Sequence, residues 1–167
     1  MSLVEFNVEG RVARVMLNRP DKLNALSPDL LRELIAVCTS LNAEDQVGVV
    51  VLEGSGPNFS AGADLPAFAE EFESTPDETA DLGRVAADSL AALPQITVAS
   101  IRGHCVGGAV VLAAACDLRV AAEDARFWIP VCSTREMTPR RSLLPSPTPR
   151  PGSCSEPTWR DWRDWKR

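Results

Sequence analysis

The chain has 167 residues, 45% hydrophobic and 24% charged, with a formal net charge of −6. That length suits one domain with a real core. The acidic balance argues against general nucleic-acid binding, and no apolar run is long enough to span a membrane.

Val4, Phe6 and Val8 alternate, Gly10 can turn, and Val12 to Leu17 read as the second strand of a hairpin. The N-terminus enters this pattern directly, so no signal peptide is expected. Asn18 to Lys22 form a loop. Ser27 suits an N-cap with Pro28 at the first helical position, and Leu30, Leu31, Leu34, Cys38 and Leu41 line one helical face. Val47 to Leu52 is a continuous apolar run of the kind found in buried parallel strands, ended by Gly54-Ser55-Gly56-Pro57. The acidic stretch from Ala67 to Asp81 reads as a solvated helix or mobile surface segment. Leu82 to Leu93 predicts a helix and Ile96 to Ile101 a strand. Val106 to Ala115 predicts an apolar helix packed on both sides, with short strands following at Leu118 to Ala121 and Ala125 to Ile129. Repeated ββα-like units imply an α/β core with helices against sheets.

The chain changes character near Pro130. Residues 131–167 hold six of the 13 prolines and three of the four tryptophans. Eight basic against four acidic residues give this tail +4, and nine against nineteen give the body −10. Pro145-Ser146-Pro147-Thr148-Pro149-Arg150-Pro151 is incompatible with a helix or a central strand. One reading is a disordered, solvated tail. The other, favoured, reading is a tail foreign to the domain, the Arg-, Pro-, Ser- and Trp-rich output of GC-rich DNA read in a shifted frame. The expected division is therefore a core over 1–130 and a tail over 131–167. The five cysteines show neither CxxC nor metal-like spacing. Cys38, Cys105 and Cys116 are expected as small core residues, no metal site is expected, and a reducing cytoplasm fits best.

Two glycine-containing stretches carry the chemistry. Asn58-Phe59-Ser60-Ala61-Gly62-Ala63-Asp64-Leu65 and Gly103-His104-Cys105-Val106-Gly107-Gly108-Ala109 each follow a β-rich segment. Each can expose backbone N–H groups where a strand gives way to a helix. Two such donors converging on one oxygen form an oxyanion hole, which stabilises charge developing on a carbonyl. Small residues are needed where backbone must approach a ligand, hence Gly62, Ala63, Gly107 and Gly108. The plainer alternative is that these glycines only serve tight turns. Asp64 is expected as a turn residue of its own loop. His104, the single histidine, is expected as a packed or surface residue. It forms no dyad with Cys105, because neighbours in an extended segment point to opposite faces.

With Asn18-Arg19-Pro20-Asp21-Lys22-Leu23-Asn24-Ala25-Leu26, these stretches resemble the enoyl-CoA hydratase/isomerase, or crotonase, superfamily. Cys116-Asp117-Leu118-Arg119-Val120-Ala121 and Ala125-Arg126-Phe127-Trp128-Ile129-Pro130 extend the resemblance over nearly all of residues 1–130. It implies a crotonase-like core of repeated ββα units, truncated, followed by a largely disordered tail. It implies acyl-CoA thioesters as ligands, coenzyme A being part of the substrate and no separate cofactor being needed. By motif position the enolate-stabilising N–H groups would be those of Ala63 and Gly108. Lys22, Leu23, Ala25, Ala61, Gly62, Asp64, Leu65, Gly107 and Pro130 would line the substrate, with Lys22, supported by Arg19, facing the CoA phosphates. The family's hydratases place a water with two glutamates, and Val111 and Val131 occupy those positions here, so impaired catalysis is expected. The family's C-terminal helical region closes the pocket and builds trimers. Nothing after Pro130 resembles it, so a homotrimer or hexamer is not expected. The alternative is a non-catalytic acyl-CoA-binding or interaction module. A third reading has Trp159, Trp162 and Trp165, with the arginines between them, stacking on nucleic-acid bases. The acidic body weighs against it, and neither a nucleic-acid nor a membrane partner is expected.

Overall fold

The computed structural model describes residues 2–74 and 81–129. Residues 75–80 and everything from Pro130 onward lie outside the described residues. So do the expectations for the tail, for Val131, and for the second half of the acidic stretch.

Strands β1 (Val4–Glu9) and β2 (Val12–Leu17) form the antiparallel hairpin, turned at Gly10 with φ +61°. Helix α1 spans Pro28–Leu41, and the Ser27 hydroxyl accepts the Leu30 N–H at 3.3 Å. Leu30, Leu31, Leu34, Cys38 and Leu41 are all buried on it, as their helical spacing requires. β3 (Val49–Gly54) pairs in parallel with β2 and with β4 (Ile96–Ile101). Between β3 and β4 lie α2 (Leu65–Ser74) and α3 (Leu82–Ala91). β5 (His104–Val106), α4 (Gly108–Ala115), β6 (Leu118–Ala121) and β7 (Arg126–Trp128) follow. The main sheet runs β1-β2-β3-β4-β6, parallel from β2 onward, while β5 and β7 pair in parallel outside it.

The repeat is a strand in the main sheet, a shorter extended segment turned away from it, and a helix returning. The extended segments find one another. Isolated parallel bridges join Leu26 to Ala63 and Ser60 to Cys105, and β5 then pairs β7. These short ladders carry the loops of the candidate site. One face of the main sheet is buried, with Ala13, Val15, Leu17, Val50, Leu52, Ala99 and Ile101 in a single core with α1, α3 and α4.

Three local expectations are corrected. The run at Val47 to Leu52 is not buried on both faces. The strand starts at Val49 and alternates, with Val50 and Leu52 buried and Val49 and Val51 half-buried. Val106 is not helical, because it pairs Trp128 and the Gly107 N–H donates to the Trp128 carbonyl at 2.8 Å. The helix that follows is not packed all round either. Val111 is 55% exposed on it, although Ala109, Leu112 and Ala113 are buried. Cys38, Cys105 and Cys116 are buried thiols, as expected, and desolvation pushes each up to about 11.

Candidate active site

Three chain segments run side by side at the ends of the short ladders. The first is the loop Arg19–Leu26. A single 3-10 turn at Pro20–Lys22 leads into Leu23 and Asn24, both left-handed at φ 51° and 54°. Non-glycine residues rarely hold that conformation, asparagine more readily than most. Asn24 shows why it persists here. Fully buried, its side-chain oxygen accepts the Arg19 N–H at 2.9 Å. Its amide nitrogen donates to the carbonyls of Ser55 and Asn58 at 2.8 and 2.9 Å. One buried amide thus ties the loop to the segment after β3, leaving Asp21, Lys22 and Leu23 in solvent. Lys22 has no ion pair among the described residues.

The second segment is Asn58–Leu65. The Ala61 N–H donates to the Leu23 carbonyl at 2.9 Å. Leu26 then bonds on both sides of Ala63, donating to the Gly62 carbonyl at 2.8 Å and accepting the Asp64 N–H at 2.9 Å. In a parallel bridge of this kind the bracketed residue directs its own N–H and C=O the other way. The Ala63 N–H is therefore turned from Leu26 and has no partner among the described residues, and Ala63 itself is exposed. Gly62 sits at φ +89° with its N–H held by the Ser60 hydroxyl at 3.1 Å. A Cβ on it would lie 2.6 Å from the Val106 carbonyl oxygen and 3.8 Å from the Gly107 Cα. Only glycine allows this approach of the second segment to the third.

The third segment is His104–Ala109. The Ser60 N–H donates to the His104 carbonyl at 2.9 Å and the Val106 N–H to the Ser60 carbonyl at 3.1 Å. The Asn58 side chain accepts the His104 N–H at 3.0 Å. Gly107, at φ +54°, turns the chain into α4. Gly108 is the first helical residue, so its N–H is one of the orphan donors at a helix start, on the side where the helix dipole favours negative charge. A Cβ on Gly108 would touch a Leu26 methyl at 3.4 Å. The Gly108 and Ala63 peptides thus flank the same residue, Leu26.

Ala61, Gly62, Ala63, Gly107 and Gly108 are brought together, with Leu23 and Ala25 on the adjoining loop. Leu65 is 73% exposed at the start of α2. Pro130 lies outside the described residues. Asp64 acts locally, as expected, its carboxylate accepting the Ala67 N–H at 3.4 Å at the N-terminus of α2. It also has a partner the sequence did not suggest, the Arg19 guanidinium at 3.0 Å. The expectation that Arg19 backs Lys22 toward phosphates is corrected. Its guanidinium turns inward to the Ala25 carbonyl and to Asp64 and is only 18% exposed. Asn24, Asn58 and Ser60 were not singled out by pattern. Their signal was a polar residue flanked by small or apolar ones beside each turn. His104 is exposed and Cys105 buried, as alternation requires. Val111 follows Gly108 by three residues, close to the same face of α4.

The enoyl-CoA hydratase/isomerase family model matches residues 7–134. Hydroxycinnamoyl-CoA hydratase-lyase of Pseudomonas fluorescens is 36% identical over 131 residues, covering 75% of this chain and 48% of that protein. Among solved structures, an enoyl-CoA hydratase from Bacillus anthracis superposes with a TM-score of 0.71 at 35% identity, covering 76% of this chain and 50% of that one. An enoyl-CoA hydratase/carnitine racemase from Magnetospirillum magneticum gives 0.71 at 35%, covering 83% and 53%. The chain belongs to the enoyl-CoA hydratase/isomerase family, and it spans about half the length of the curated relatives it matches.

Proposed function

We propose that this chain binds acyl-CoA thioesters and polarises the thioester carbonyl between the peptide N–H groups of Ala63 and Gly108. The observation that carries the reading is that both donors lack partners among the described residues while their segments are pressed together at Gly62 and Leu26. Donors fixed before the ligand arrives need no reorganisation as charge develops, and removing one such donor typically costs about 10²–10³ in rate. Polarisation acidifies the α-carbon or stabilises the enolate formed by conjugate addition. The Lys22–Ala25 loop, exposed at Lys22 and Leu23, would meet the CoA portion, with Lys22 offering a point charge to phosphate.

Proton transfer is the weak part of this site. Val111, one helical turn after Gly108, can neither accept nor donate a proton. The nearby His104 faces solvent, and Cys105 is a neutral thiol, pushed up to about 11 by desolvation. The proposed activity is therefore thioester binding with carbonyl polarisation, and hydration slower than that of a hydratase carrying both glutamates by at least ~10³-fold, the scale of lost acid–base catalysis. A conjugated enoyl-CoA tests both halves. Its absorbance band should move to longer wavelength on binding and then decay slowly if at all. Absence of the shift at saturating ligand would defeat the binding reading, and rapid decay would defeat the impaired-catalysis reading.

A further inference from the structure

We propose that Arg19 and Asp64 form a positioning pair that sets the Ala63 N–H against the Lys22–Ala25 loop. This assignment deepens the acyl-CoA reading and rests on it. The guanidinium joins two segments of the site. Its Nη1 donates to the Ala25 carbonyl at 2.7 Å, within the first loop, and its Nη2 donates to Asp64 Oδ2 at 3.0 Å, in the second. Asp64 in turn is fixed at both ends. Its N–H donates to Leu26, and its other carboxylate oxygen accepts from Ala67 at the start of α2. Ala63 lies between Gly62 and Asp64. The bond from Leu26 to Gly62 sets one side of its peptide, and the Asp64 anchor sets the other.

The rest of the first loop does not depend on this guanidinium. The Arg19 backbone and the Leu23–Asn24 turn are held by the buried Asn24 side chain and by bonds from the Leu23 and Ala25 N–H groups to Pro20 and Lys22. Removing the guanidinium should thus spare the loop that meets CoA while loosening the donor that meets the carbonyl. Both charged groups are largely shielded, at 18% and 17% exposure, so the pair is screened less than a surface one. The planar fork of arginine reaches two acceptors at once, which a lysine ammonium cannot do with the same geometry.

The test compares the full-length chain with Arg19→Met, Arg19→Lys, Asp64→Ala and the Arg19→Met/Asp64→Ala double variant, using free CoA and a conjugated enoyl-CoA as probes. In Arg19→Met, CoA affinity should change less than threefold, while the thioester's long-wavelength shift is lost and its affinity advantage over CoA falls about tenfold. Arg19→Lys should recover part of the shift, and the double variant should be no worse than the worse single one. A second readout needs no ligand. Amide exchange at Leu26, Asp64 and Ala67 should quicken at least tenfold in Arg19→Met, with Val50 and Leu52 unchanged. Should the parent bind no thioester, the acyl-CoA reading falls, and the exchange pattern still decides whether the pair holds the loops. Unchanged exchange at those three amides overturns the proposal. So does a retained spectral shift in Arg19→Met, or a parallel loss of CoA and thioester binding with loosened core amides.

Discussion

Replacing Gly62 with alanine tests the central geometric claim, that two backbone segments must touch at this point. The new methyl would lie 2.6 Å from the Val106 carbonyl oxygen, a backbone atom that cannot rotate away, and the residue would have to hold φ +89°. The left-handed backbone costs about 1–2 kcal/mol for a residue with a Cβ. Parting the segments enough to relieve the contact would break the bond from the Val106 N–H to the Ser60 carbonyl, now 3.1 Å long, for about 1 kcal/mol more. The expected loss is about 2–3 kcal/mol, a large share of the 5–15 kcal/mol that typically holds a domain. With a urea slope of ~2 kcal/mol/M, the midpoint should fall by about 1–1.5 M. Thioester binding should fall at least about tenfold, because the Ala63 and Gly108 donors separate. Gly83→Ala is the matched control. Gly83 is exposed in α3 and a Cβ there would meet nothing within 4 Å, so that variant should gain about 0.4–1 kcal/mol. An unfolding midpoint and thioester affinity in Gly62→Ala equal to the parent's would refute the claim of contact.

Four further outcomes are expected. Lys22→Ala should weaken CoA binding about tenfold, or 1.4 kcal/mol, and equal affinity measured by calorimetry would remove Lys22 from the phosphate site. Gly108→Pro deletes one proposed donor at a helix position that tolerates proline, so the thioester shift should vanish while the midpoint moves less than in Gly62→Ala. Ser27→Ala removes the α1 cap and should cost about 1 kcal/mol in urea unfolding. Hydrogen bonds from the Thr97 N–H and hydroxyl hold the Asp117 carboxyl below its usual range. A depressed folded-state pKa stabilises above the unfolded value and is lost as pH falls through the folded one. Asp117→Asn should therefore flatten the acid side of the stability profile below about pH 4, and an unaltered profile would discount those bonds.

The fold was legible where the buried face of an element also shows as a periodic pattern in its sequence. The hairpin, the Ser27-capped α1 and the strand at Ile96–Ile101 followed from periodicity and caps alone. Reading failed where a short apolar run gave no periodicity. At Val47–Leu52, β-branched residues on both faces suggested burial on both, yet the outer face of the sheet stays partly open. Exposure there reaches 53% at Ile96 and 63% at Val120. At Val106–Ala115 the same ambiguity drew Val106, the last residue of β5, into the helix, because its pairing partner Trp128 lies twenty-two residues away. Local pattern does not encode so distant a register.

The candidate site divides along the same line. Gly62 and Gly107 could be singled out because a turn with positive φ asks for glycine, and at Gly62 another backbone stands where a Cβ would go, whereas Gly108 stood out by its place in the motif. The direction of Arg19 could not. An arginine three positions before a lysine in a polar loop reads as a second cation for phosphate. Its true neighbours are set by Asp64, forty-five residues on, and by the Leu26–Ala63 bridge that draws the two loops together. That distinction changes what a charge in this loop does. Lys22 is exposed and free to meet a ligand, so its contribution should fall as salt screens it. The Arg19 charge is spent on a shielded carboxylate, so its contribution should resist salt. Thioester binding measured from low to high ionic strength should lose its Lys22-dependent part and keep its Arg19-dependent part. A salt dependence that instead disappears in Arg19→Met, and survives in Lys22→Ala, would reverse the two assignments.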